Sequence, residues 1–388
     1  MASMLLAVIY LTFISLGLPD SLLGAAWPAM YNEFGVPVSF AGIISMTITL
    51  FTIISSLMSE RVTKKFGAAL VCGVSTLLTA LALFGFSVST KFWALVLWAV
   101  PYGLGAGSID AAVNNYVALH YKSRHMSWLH CMWGLGATIS PYIMGYALAS
   151  GKNWGGGYSY VSIIQFSLAA IIFLSIPLWK KKAAQNPSAV AKADNKPVSY
   201  KKLLKLKGVT ALLIAFFCYC ALEQTAMLWS GSYLALNNGM SKQNAAKFAS
   251  LVFIGITAGR AVNGFLTYKF SDKALIRMGQ AVIGAGIILL FIPKTNITAL
   301  IGLTLIGLGC APVYPSFIHS TPSWFGENNS QALIGLQMAL AYTGILVMPP
   351  LFGAIAQFLS ISLLPVFLAV ILAAMVLSHE LLIKKINK

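Results

Sequence analysis

The sequence predicts an all-α integral membrane protein of twelve transmembrane helices, arranged as two pseudo-symmetric six-helix bundles. Three observations point there. Hydrophobic residues make up 58% of the 388 and charged residues only 9%, against about 25% charged in an average soluble protein. The apolar residues fall in runs of about 20 or more, the length that crosses a bilayer core. The second half also repeats landmarks of the first at a shift of roughly 204 residues.

In chain order the predicted spans run approximately 4–31, 38–61, 68–89, 92–120, 126–150, 158–180, 208–236, 243–268, 273–293, 297–321, 330–358 and 362–384. Residues 1–180 form the first bundle, 181–207 a basic connection and 208–388 the second bundle. Gly35 recurs as Gly239, Lys65-Phe66 as Lys269-Phe270, and Gly103-Leu104-Gly105 as Gly307-Leu308-Gly309. With a small slip, Pro141 and Gly145 recur as Pro349 and Gly353. Matches kept in one order indicate duplication, and two related six-helix halves around a midplane site are a transporter plan.

The net charge of +17 could suggest nucleic acid as a partner. Lys and Arg are instead expected in connections or near span ends, which makes the charge a record of membrane topology. One set of connections holds Arg61, Lys64, Lys65, Lys122, Arg124, the 181–207 segment, Lys269, Lys273 and Arg277, with Lys384, Lys385 and Lys388 in the tail. The other holds only Lys91, Lys152, Lys242, Lys247 and Lys294. The richer side is expected to be cytoplasmic, with both termini inside a cell membrane that the chain crosses many times. The stretch from Lys180 to Lys207 carries nine lysines against Asp194. It reads as a flexible basic linker whose end, Tyr200–Lys207, is amphipathic. Five cysteines in apolar segments, an odd number, read as free thiols. Without a basic start, and with Pro19 and Asp20 in the first span, no cleaved signal peptide is expected.

Three acids fall inside spans: Asp20, Asp110 and Glu223. An acid in hydrocarbon costs about 2.5–3.5 kcal/mol on insertion scales, so each should face the bundle interior or a watery cavity. With no cation expected at their depth, desolvation should favour protonation, and an acid that gains and loses a proton can couple transport to a gradient. The same carboxylates would also suit sodium.

Four further stretches bear on the site. In Pro101–Tyr121, Gly103, Gly107 and Ala111 recur every fourth residue as a close-packing seam, while Asp110 and Asn114 share a face. Pro19, with Gly17 and Gly24, interrupts the first span beside Asp20. In the fifth span His130 and Trp133 lie three apart at the depth of Asn114; His120, His125 and His130, spaced by five, do not share a face and form no metal set. In the seventh, Gln224, Trp229 and Tyr233 join Glu223. An aromatic face with carboxamides suits a polyhydroxylated ring, and Asn263, Tyr314, Gln337 and Tyr342 would extend that wall. Tyr314 stands opposite Asp110 in the repeat, which suggests an ion site in the first half and a stacking surface in the second. A clustered nucleophile or metal set is not visible, so neither an enzyme nor a resident cofactor is expected. The expected partners are membrane lipid and a small-molecule substrate, with the chain a monomer.

These residues carry a resemblance. SLMSERVTKKFG, Ser56–Gly67, resembles the signature between helices 2 and 3 of the major facilitator superfamily. Glu60, Arg61, Lys64 and Lys65 fit its acid and basic positions, while Ser56 and Thr63 stand where glycine is usual. In the family this is a gating loop. GLGAGSIDAAVNNYVA, LHCMWGLGATISP and YCALEQTAMLWSGSYL are similar to helices 4, 5 and 7 of its fucose–galactose–glucose proton symporter group. The resemblance implies import of a monosaccharide or related polyol by alternating access, with Asp110 carrying the proton and Asp20 binding sugar or gating access. His130 stands where some relatives have a carboxamide, and sodium-coupled carriers exist among relatives. The rival is a drug or metabolite exporter of the same fold. Exporters often show Gly-Pro followed by a Gly pair in helix 5, where this chain has Ser140-Pro141 and Gly145.

Overall fold

The computed structural model describes residues 2–184, 198–292 and 296–387. Among these residues there are fourteen α-helices, two short 3-10 turns and no strand. The first predicted span is two helices, α1 (Ala2–Asp20) and α2 (Leu22–Glu33). Then follow α3 (Ala41–Phe66), α4 (Ala68–Ser87), α5 (Phe92–His120), α6 (Ser123–Ala149) and α7 (Trp154–Ala184). Among the described residues of the connection there is a short helix, α8 (Tyr200–Leu204). The second set is α9 (Val209–Leu236), α10 (Lys242–Leu266), α11 (Asp272–Phe291), α12 (Asn296–Phe325), α13 (Glu327–Phe358) and α14 (Leu364–Ile386). Residues 185–197 of the basic linker, Lys294 and Lys388 lie outside the described residues.

Among the described residues, ten spans are long and apolar enough to cross a membrane. The other two are α6, whose opening turns carry Ser123, Arg124, His125 and His130, and α10, which qualifies only as the shorter segment Ser250–Leu266. Twelve spans result, as the sequence predicts.

The chain forms two compact units. One comprises Met1–His120, Leu129–Pro197 and Glu327–Ala339; the other comprises Tyr121–Trp128, Val198–Gly326 and Leu340–Lys388. The membership does not follow a single cut, because the openings of α6 and α13 each group with the opposite repeat.

Within the first unit α5 is the seam the glycines predict. A Cβ on Gly103 would sit 2.3 Å from the Ile48 carbonyl oxygen of α3, one on Gly107 2.3 Å from that of Thr52, and one on Gly105 2.6 Å from that of Ser75 in α4. Within the second unit, Gly307 of α12 meets the Val252 carbonyl oxygen of α10 at 2.3 Å, and Gly309 meets the Gly279 oxygen of α11 at 2.7 Å. Both members of these contacts are related by the sequence repeat: Gly103 and Ile48 become Gly307 and Val252, while Gly105 and Ser75 become Gly309 and Gly279. The duplication is therefore a duplication of backbone contacts. Only a residue without a side chain permits such an approach.

Proline accounts for the break beside Asp20. Pro19 has no N–H to give the Ser15 carbonyl. That carbonyl accepts instead from Nε2 of Gln165 in α7, while the Ser15 hydroxyl donates to Gln165 Oε1. Pro141 likewise leaves the Ala137 carbonyl without its helical donor, and the Ser21 hydroxyl donates to it at 2.6 Å.

The segment expected to be a gating loop departs from that expectation in its structure. The sequence suggests a loop, yet α3 runs on to Phe66 and stops at Gly67, whose φ of +81° suits a residue without a side chain. Glu60, Arg61, Lys64 and Lys65 occupy its last two turns, where Glu60 and Lys64 pair at 2.8 Å across one turn of helix. In the same unit a Cβ on Gly335 of α13 would lie 2.6 Å from the Ser56 carbonyl oxygen.

Candidate functional site

In the first unit, the polar residues of α5 and α6 form one buried run. Asn114 Nδ2 donates to Asp110 Oδ1 at 2.7 Å, and His130 Nε2 donates to Asn114 Oδ1 at 3.0 Å. The spacing of four within α5 makes the first bond, as the shared face predicts. The second confirms the matched depth of His130 and Asn114. All three are buried, Asp110 at 3% relative exposure. Phe13 of α1 meets the His130 ring edge-on at 5.1 Å between centroids.

Asp20 belongs to a second, open cluster of this unit. Its Oδ2 accepts from the Trp133 indole N–H at 2.8 Å and its Oδ1 from the Tyr102 hydroxyl at 3.2 Å. Asp20 as a residue is nonetheless exposed. The α1–α6 crossing sets this geometry: a Cβ on Gly17 would fall 2.1 Å from the Trp133 carbonyl oxygen, and one on Gly136 2.4 Å from that of Ile14. Asp20 and Trp133 were both candidates from sequence, but their contact was not legible there, because it depends on the rotation of two helices far apart in the chain.

The second unit corrects the expectation about cations. Arg260, inside α10, places Nη2 3.1 Å from Glu223 Oε1 of α9. Glu223 is thus not an acid without a cationic neighbour. The signal was present in the sequence, since Arg260 lies within the predicted span 243–268 rather than at its edge. The Tyr219 hydroxyl donates to the same Glu223 oxygen at 2.8 Å and lies 3.1 Å from the Cys310 carbonyl oxygen. The Tyr314 ring packs 4.9 Å from Phe216 and 6.0 Å from Tyr219, measured between centroids.

The other wall residues are spread more widely. Trp229 braces α9 against α13: its N–H donates to the Pro349 carbonyl at 2.9 Å, and its ring lies against Gly353 and Phe352. Tyr233 is buried and donates to the Leu290 carbonyl at 3.1 Å. Asn263 donates to the Ser127 hydroxyl at 2.7 Å, at the opening of α6. Gln224 is half-buried on α9 beside Glu223. Gln337 is buried and groups with the first unit; Tyr342, half-buried, groups with the second.

One cluster has no counterpart in the sequence reading. In the second unit Asp272, at the start of α11, accepts from the Ser123 hydroxyl at 2.5 Å through Oδ1, and from His319 Nδ1 at 2.6 Å and the Ser320 hydroxyl at 3.2 Å through Oδ2. His319 Nε2 donates to the Tyr121 carbonyl at 3.2 Å. Donation from both ring nitrogens describes an imidazolium.

The comparisons now bear on identity. The sequence model of the Major Facilitator Superfamily matches residues 9–259 and 212–385. The chain belongs to that superfamily. A Saccharomyces cerevisiae relative, "Bypass of stop codon protein 6", is 21% identical over 95% of this chain and 80% of its own length. The "Hexuronate transporter" of Bacillus subtilis is 22% identical over 69% of this chain and 65% of its own length. Among solved structures, the E. coli fucose:proton symporter superposes with a TM-score of 0.77 at 16% identity, covering 97% of this chain and 98% of that one. This superfamily member is a multi-pass membrane transporter rather than an enzyme, and its fold is that of sugar:proton symporters.

Proposed function

We propose that this transporter imports a monosaccharide or related polyol together with a proton, by alternating access across the cell membrane, with both termini cytoplasmic. The observation that carries the reading is the buried run from His130 through Asn114 to Asp110. A carboxylate sealed in an apolar bundle is costly when charged, so its proton occupancy and the exposure of its helix faces must change together. Asp110 is the coupling acid, and Asn114 and His130 connect it to the α6 face that also bears Trp133. Asp20 has the complementary character. It is open, and beside it lies the Trp133 indole. A carboxylate accepts sugar hydroxyls, and an aromatic face stacks on the C–H face of the ring.

The remaining parts follow the superfamily plan. The Glu60–Lys64 pair at the end of α3 serves gating, and the lysine and arginine asymmetry sets the orientation. Membrane lipid is the surrounding partner, and the transporter works as a monomer.

Proteoliposomes carrying Asp110→Asn test the coupling role. Uphill uptake driven by a proton gradient should be abolished while substrate counterflow persists. Unchanged proton-driven uptake in the variant, or uphill uptake driven by sodium alone in the unaltered protein, would overturn the assignment.

A further inference from the structure

We propose that Arg260 binds a carboxylate on the substrate, so that the transported class is a carboxylated monosaccharide, and that Glu223 yields Arg260 and takes up a proton as the anion arrives. This rests on the sugar-transport reading above and names the class within it.

Arg260 lies inside α10 at 4% relative exposure. A guanidinium taken out of water is expensive by several kcal/mol even when paired, and such pairs are often replaceable by apolar residues without loss of stability. Neutral sugars do not call for one, because hydroxyls are held by carboxamides and carboxylates.

The position equivalent to Arg260 in the first half is Ser56, on α3. There the same helix-to-helix seam is built, with Gly107 of α5 meeting the Thr52 carbonyl and the Ser56 hydroxyl. The backbone contact therefore does not require a charge at this place. The second half carries one.

Glu223 meets Arg260 through Oε1, the oxygen that also accepts from Tyr219. Its side chain is 15% exposed against 5% for Arg260, which makes the acid the open member. A planar guanidinium suits a carboxylate better than any other side chain does, since its fork can donate two parallel bonds. The ionisable neighbours are Tyr219 on the same helix, and Cys310 and Tyr314 on α12. The two tyrosine rings give an aromatic surface beside the charge.

The exchange balances. The bond between Arg260 and Glu223 breaks, and a bond between Arg260 and the substrate carboxylate forms. Glu223, left without its counter-ion in apolar surroundings, takes one proton from solution. Release on the far side reverses both steps.

Purified protein is tested with D-glucuronate and D-glucose by thermal shift, and with a pH indicator in weakly buffered detergent solution. D-Glucuronate should raise the Tm of the unaltered protein and draw in about one proton per site. Glu223→Gln should keep the shift and lose the proton uptake. The double variant Glu223→Gln, Arg260→Gln, which removes both charges together, should bind D-glucuronate at least tenfold more weakly. If D-glucose shifts the unaltered protein and D-glucuronate does not, the inference falls and the sugar reading stands. If neither sugar shifts it, both fall. Binding of D-glucuronate without proton uptake, or equal affinity in the double variant, would also overturn the inference.

Discussion

The two repeats share a backbone and differ in what they bury on it. Around α5 and around α12 the same glycine positions meet the same carbonyl positions one repeat apart. On that common frame, the first half places a sealed aspartate fed by an amide and an imidazole, while the second places a glutamate against an arginine. Close helix contacts tolerate no side chain and so resist change, whereas polar positions one turn away are free to diverge. A duplicated scaffold can thus carry two different charge chemistries. A second pair of equivalent positions shows the same pattern. Asn115 and His319 are related by the repeat. Asn115 accepts from Ser330 at the opening of α13, and His319 holds Asp272 and the Tyr121 carbonyl at the opening of α6.

The largest expected effect is on coupling. Asp110→Asn should lower proton-driven uphill uptake by at least a hundredfold, as measured by paired flux assays. Next come the seams. Gly103→Leu and Gly307→Leu each drive a side chain into a backbone carbonyl, where overpacking typically costs about 1–3 kcal/mol and more against rigid backbone. Both should reduce folded yield on size exclusion to a similar extent. Unequal losses would break the claim that the seams are equivalent.

His319→Ala removes two charge-bearing bonds and should lower Tm by several degrees, because hydrogen bonds to charged groups contribute about 1.5–3 kcal/mol each. Asn115→Ala loses one neutral bond and should cost less. Trp133→Phe keeps a ring but deletes the donor to Asp20. It should raise KM severalfold with little change in maximal rate, read from initial uptake.

The smallest effect concerns His125, at the opening of α6. Burial, followed by the nearby positive charges of Arg124 and Lys122, holds its pKa down at about 4 against an ordinary 6.5. The unfolded chain therefore binds more protons between these values, and the contribution of neutral His125 to stability is complete above about 6.5 and lost as the pH falls toward 4. His125→Gln should flatten the decline in Tm across that window.

Much of this was visible in the chain before any fold was seen. The twelve spans, the repeat and the pairing of Asp110 with Asn114 rest on local features: the length of an apolar run, the ordered recurrence of glycine and proline, and a spacing of four on one helix. The end of α3 shows the limit of that reading, since charged residues at a span's edge look like a loop whether or not the helix continues. Arg260 shows another, because treating basic residues as markers of topology concealed one that sits inside a span.

Hydrophobic length and side-chain size act locally, so the residue pattern alone is enough to show a duplicated twelve-span membrane protein with acids in its spans. That Asp20 meets Trp133, Glu223 meets Arg260 and Asp272 meets His319 follows from the folded arrangement. Those contacts depend on how each helix is rotated and where it crosses its neighbour, and no period along a single helix encodes that.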